Sequence, residues 1–101
     1  MAANLYLSEL LDIYGSLLTE KQFRVLDGYY NNDLSLSEIA ENEGITRQGI
    51  CDIIKRCEAQ LTEYEQKLKL SYKLSSLKKL AAKAKDNGNF KNDLVNFIED
   101  L

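Results

Sequence analysis

The sequence has no histidine and no proline, only two cysteines, and only five glycines among its 101 residues. Each shortage closes off a class of protein. Without proline and with so little glycine, collagenous, disordered Gly/Pro-rich and β-sandwich architectures fade. Cys51 and Cys57 lie six residues apart in a stretch of helical periodicity. That spacing is about 9 Å of helix rise, too far for a bridge within one helix. With no histidine and no paired cysteine motif, no structural zinc site is expected. Catalytic constellations lose members in the same way: there is no Ser-His or Cys-His pair and no Gly-rich phosphate loop. The expectation is a protein that is not an enzyme and that uses no cofactor. No apolar run approaches the roughly 18 residues of a membrane span, and Met1-Ala2-Ala3-Asn4 lacks a basic leader region. A cytoplasmic protein without a membrane span is expected.

What is present suits a small domain with one modest core, since 45% of residues are hydrophobic and 29% charged. The net charge of −3 conceals a strong pattern. Residues 1–45 carry two basic against eight acidic side chains, residues 46–85 ten against four, and the remainder one against four. An acidic front and a basic middle allow one surface to meet a polyanion while the rest avoids it. The two parts could equally neutralise each other within the fold.

Periodicity and punctuation give an all-α chain. Leu7, Leu10, Leu11, Tyr14, Leu17 and Leu18 mark a first amphipathic helix. Thr19-Glu20-Lys21-Gln22 has the form of a capping box and opens a second, with Phe23, Leu26 and Tyr30 on one side. Asn31-Asn32-Asp33 ends it with turn chemistry. Ser35 to Glu38 forms another capping box, opening a short third helix that stops at Gly44. Thr46 caps a fourth, whose apolar stripe is Ile50, Ile53, Ile54, Cys57, Leu61, Tyr64 and Leu68. A break is expected near Leu70–Tyr72. A basic helix follows, with Leu74, Leu77, Leu80 and Ala81 inward and Lys73, Lys78, Lys79, Lys83 and Lys85 outward. Asn87-Gly88-Asn89 reads as a turn before a closing helix carrying Phe90, Leu94, Phe97, Ile98 and Leu101. The expected division is a helix-turn-helix domain over 1–70, with the motif at 37–56, and a C-terminal helical extension over 71–101.

The motif rests on three residues at fixed spacing. Ala40 is small where two helices must cross, Gly44 tolerates positive φ in the turn, and Ile50 is aliphatic on the inner face of the second helix. The plain alternative is a generic helical corner that never meets nucleic acid. On the helix-turn-helix reading, Arg47, Gln48, Cys51, Asp52, Lys55 and Arg56 face outward. Arg47 suits bidentate contact with guanine and Gln48 with adenine, while Thr46, Lys55 and Arg56 suit phosphates. Asp52 repels phosphate but can accept from cytosine N4. Gly49 weakens the helix by about 1 kcal/mol relative to alanine, and its missing side chain either admits a close backbone or is a tolerated defect.

Four segments carry a resemblance: Tyr14-Gly15-Ser16-Leu17-Leu18-Thr19-Glu20-Lys21-Gln22, Tyr29-Tyr30, Asp33 to Glu41, and Thr46-Arg47-Gln48-Gly49-Ile50 with Ile54-Lys55-Arg56. Over about residues 5–70 the chain resembles YlxM-type proteins, small bacterial proteins inferred to bind DNA, whose genes lie beside that of the signal recognition particle GTPase. Phe23 to Arg56 is also similar to region four of bacterial sigma factors, whose second helix reads a promoter element. By position, that similarity implies Thr46, Arg47, Gln48, Gly49 and Asp52 as the groove-facing set. The chain departs from sigma factors at Gly49, Cys51 and Asp52, where basic or amide side chains prevail. The resemblance implies a regulatory DNA-binding role in the signal recognition particle pathway. The other reading is an accessory protein that binds the particle's GTPase or RNA through the basic middle. A homodimer is expected under the first, joined through Leu61, Tyr64, Leu68, Leu74 and Leu77 or through Phe90 and Phe97.

Overall fold

A computed structural model describes residues 4–84 and 90–100, and among these it holds six α-helices and no strand. The expected turn at Asn87-Gly88-Asn89, the outward place of Lys85, the Phe90 side chain and Leu101 lie outside the described residues and side chains. The chain forms two compact units, Met1–Leu68 and Lys69–Leu101.

In the first unit, α1 (Leu5–Tyr14) begins where the Asn4 side chain accepts from the Leu7 N–H. It does not continue to Leu18. Gly15–Leu17 tighten into a 3₁₀ turn and Leu18 is extended, which buries Leu18 and leaves Leu17 exposed. The reason is local crowding: a Cβ on Gly15 would stand 2.8 Å from the Phe23 ring, so the chain turns under that ring. Helix α2 (Glu20–Tyr30) opens with the full capping box, Thr19 Oγ1 accepting from Gln22 N and Gln22 Oε1 from Thr19 N. Val25 and Leu26 are its buried residues, whereas Phe23 is partly exposed over Gly15. Helix α3 (Leu36–Glu43) opens with the matching box between Ser35 and Glu38.

Helix α4 (Arg47–Leu68) is 22 residues long, about 33 Å, and forms the spine of the unit. Ile50, Ile54, Cys57 and Leu61 recur at three- and four-residue steps and are buried against Leu10, Leu11 and Tyr14 of α1, Leu26 of α2 and Ile39 of α3. Ile53 and Tyr64 are only partly buried, and Leu68 is exposed. Two tyrosines fasten other helices to this spine. The Tyr14 hydroxyl donates to Glu65 at 2.8 Å, and the Tyr30 hydroxyl donates to Glu58. Burial and the Glu58 carboxylate together push the Tyr30 phenol well above its ordinary value.

The expected break near Leu70–Tyr72 falls at Lys69, which takes a left-handed φ of 53°. The second unit contains α5 (Leu70–Ala84) and α6 (Phe90–Glu99). Here the expected inward stripe holds at Leu80, and Lys78, Lys79 and Lys83 are outward as expected, but the rest of the stripe does not hold. Leu80 and Ser71 are buried, while Leu74, Leu77 and Ala81 are exposed and Lys73 is half-buried. On α6, Leu94 and Phe97 are half-buried and Ile98 is exposed. Two helices can cover only the residues along their shared line, so a wide apolar stripe stays partly uncovered.

Candidate nucleic-acid interface

The turn between α3 and α4 is closed by backbone geometry that the sequence dictates. Gly44 sits at φ +69°, ψ 29°, the left-handed region that an unbranched backbone enters freely. Its N–H donates to Glu41 O, and Ile45 N donates to Ala40 O at 3.1 Å, the paired bonds of a Schellman ending. Two residues on, Thr46 Oγ1 accepts from Gly49 N at 3.0 Å and starts α4. The two helices are therefore joined by Gly44-Ile45-Thr46 alone, with Ala40 and Ile50 buried where they meet.

At Gly49 a Cβ would lie 3.2 Å from Thr46 Oγ1, a close approach, and 3.5 Å from Ile45 Cδ1, an ordinary contact. The equivalent third positions after Thr19 and Ser35 carry Gln22 and Glu38 with the same cap bond in place.

The pair is braced from behind. Arg24 of α2 grips Glu43, in the last turn of α3, with Nε to Oε2 at 3.1 Å and Nη2 to Oε1 at 2.9 Å. A carboxylate at a helix C-terminus opposes the helix dipole, and the guanidinium offsets that. Arg24's hydrogen bonds also hold the Glu43 carboxyl below its ordinary range. Backbone donation from Ser35 does the same for Glu38.

Phase along α4 then sorts the site residues. Ile50, Ile54 and Cys57 define the inward direction, and at 100° per residue the opposite face is centred on Gln48, Asp52 and Lys55. Arg56 lies at one margin, whereas Arg47 lies about 110° from that centre, nearer in phase to Ile54 and facing the cleft with Tyr29 and Ser35. Thr46, Arg47, Gln48, Asp52, Lys55 and Arg56 are all exposed, and Gly49 is partly covered. Cys51, expected outward, is half-buried in a cleft with Tyr29, Leu36 and Lys55, because its phase places it beside Ile54. Burial raises the thiol of Cys57.

Among the described residues, Arg47, Lys55 and Arg56 make no ion pair; Lys55 and Arg56 flank the outward face of α4, while Arg47 projects from its first turn toward α2 and α3. Gln48 and Asp52 are joined instead: Gln48 Nε2 donates to Asp52 Oδ1 at 3.0 Å. Arg47 lines a cleft of about 250 Å³ together with Tyr29, Ser35, Leu36 and Ser37. Motif spacing did not bring those four residues to the site, because they lie 10 to 18 positions away in the chain and only the helical crossing unites them. Among the described residues, no three metal-capable side chains converge and no helix is long and apolar enough to cross a membrane.

Comparison with known proteins agrees with this architecture. The whole chain, residues 1–101, matches the family described as "UPF0122: Putative helix-turn-helix protein, YlxM / p13 like". A UPF0122 protein of Clostridium perfringens strain SM101 is 48% identical over 98 residues, covering 93% of this chain and 88% of that protein. One from Clostridium kluyveri is 61% identical over 70 residues, 69% of this chain and 63% of its own length. One from Malacoplasma penetrans is 43% identical over 95 residues, covering 94% and 89%. With a helix pair hinged at Gly44 and a match along its entire length, this chain belongs to the UPF0122 family of YlxM / p13-like helix-turn-helix proteins.

Proposed function

We propose that the protein is a DNA-binding regulator that lays the exposed face of α4 in the major groove. The observation that carries this reading is the exposed set Gln48, Lys55 and Arg56 on the outward face of α4, with Arg47 exposed at its first turn and, among the described residues, no ion pair to any of the three cations, on a helix held by its cap, its turn and its tyrosine contacts. Arg47 and Gln48, in the first turn, reach base edges; the Thr46 hydroxyl, Lys55 and Arg56 meet phosphates; the bare Gly49 and the neighbouring Asp52 complete the groove-facing set. One such face neutralises few phosphates, so two chains bind together, joined through apolar residues exposed on α5 and α6 such as Leu74, Leu77 and Ile98. The regulation acts in the signal recognition particle pathway, in the cytoplasm, a reading supported by the resemblance to proteins encoded beside that particle's GTPase.

Duplex binding as a function of salt tests the reading. Arg47→Ala weakens binding in a sequence-dependent way, whereas Lys55→Ala weakens it on all duplexes alike and lowers the salt slope by about one unit. Unchanged duplex affinity in both variants, with loss of capture of the particle's GTPase or RNA, would move the function to an accessory role outside DNA binding.

A further inference from the structure

The hydrogen bond from Gln48 Nε2 to Asp52 Oδ1 changes what the glutamine can read. A carboxylate only accepts, so it fixes which end of the amide faces it: nitrogen toward Asp52, carbonyl oxygen away. One N–H is consumed. One N–H and the carbonyl oxygen remain, a single donor beside a single acceptor. Adenine offers the complement in the major groove, N7 as acceptor and the N6 amino group as donor. Guanine offers two acceptors, N7 and O6, and would set O6 against the amide oxygen. An untethered glutamine could turn its NH₂ group toward both guanine acceptors; the tethered one cannot.

This also accounts for a carboxylate beside Lys55 and Arg56. Asp52 lowers the attraction of this face for any phosphate backbone, and in return it holds one side chain in a single orientation. We infer that Asp52 is a positioning residue that sets Gln48 to select adenine over guanine. The inference rests on the DNA-binding reading above.

The test is selection from a randomised duplex pool by the full-length protein and its Gln48→Ala, Asp52→Ala and Asp52→Asn variants, with affinities measured on the selected site and its adenine-to-guanine replacement. The wild type is expected to prefer adenine at one position by about five- to a hundredfold. Asp52→Asn offers Gln48 a donor as well as an acceptor, no longer fixes which end of the amide faces it, and so weakens the preference while binding every duplex more tightly. Asp52→Ala also gains general affinity but loses most of the preference, as does Gln48→Ala. A merely structural Asp52 would not separate affinity from discrimination in this way. Wild-type binding without an adenine preference, or a preference intact in Asp52→Ala, overturns the inference and leaves the DNA-binding reading standing. A cytosine preference lost in Asp52→Asn also overturns it, because Asp52 then touches the base itself. Absence of wild-type affinity for any duplex removes the DNA-binding reading, and the inference with it.

Discussion

The two units are built from similar material with different outcomes. In Met1–Leu68, helices α1 to α4 surround Leu10, Leu26, Ile50 and Leu61, each with no measurable exposure. In Lys69–Leu101, α5 carries leucines at comparable spacing, yet Leu74 and Leu77 are each 42% exposed. Spacing sets the direction in which apolar side chains point, but the number of surrounding helices decides whether anything covers them. Four helices close a core around α4, whereas two share only a line.

Truncating one leucine-sized side chain in each unit sharpens this contrast most. Ile50→Ala removes packing from a position enclosed by three other helices and is expected to cost about 2–5 kcal/mol, a large part of a small domain's stability. For the single chain, measured without DNA at a concentration too low for pairing, Leu77→Ala is expected to change unfolding free energy by no more than about 1 kcal/mol. Urea titration followed by circular dichroism measures both. Equal losses would mean that Leu77 is buried in solution, as it would be in a tight assembly of chains.

Gly44 gives the next effect. A Cβ at this position meets nothing within 4 Å, so the Gly44→Ala penalty comes from the backbone alone. At φ +69° an alanine is expected to cost about 1–2 kcal/mol, measured by the same titration. A smaller loss would indicate that the turn between α3 and α4 relaxes without disturbing Ala40 or Ile50.

How far the sequence disclosed the molecule follows from the range of each interaction. Helix starts were legible because Thr19 with Gln22 and Ser35 with Glu38 act across three residues. The turn at Gly44-Ile45-Thr46 was legible for the same reason. The exposed face of α4 followed from the phase of Ile50 and Ile54. What escaped were bonds across 19, 28 and 51 residues, namely Arg24 to Glu43, Tyr30 to Glu58 and Tyr14 to Glu65. No local pattern marks which tyrosine will reach which glutamate. Leu17 was misread because the ring of Phe23 over Gly15 ends α1 early, a contact invisible to periodicity. Gln48 and Asp52 stand at the i, i+4 spacing of a helical pair, so that bond was open to inference from sequence.

The smallest effects come from pH, and they probe the braces of the first unit. Tyr30 has its phenol raised above the ordinary 10.0, so its contribution is fully present below pH 10 and fades as pH rises toward the folded value. Tyr30→Phe should flatten the alkaline limb of the stability profile. Glu38 and Glu43 have carboxyls lowered from the ordinary 4.5, the first by donation from Ser35 and the second by donation from Arg24. Their contribution is present above pH 4.5 and is lost as pH falls through the folded values. Glu43→Gln should therefore flatten the acid limb, because the variant has no proton to take up and only a neutral contact with Arg24 to lose. Arg24 is largely exposed where it meets the part-covered Glu43, so salt screens their attraction and the acid limb should shallow further at high ionic strength. A limb indifferent to salt and to Glu43→Gln would assign acid sensitivity to Glu38 and the cap of α3 instead, because that carboxyl is held by backbone and hydroxyl donors rather than by a guanidinium.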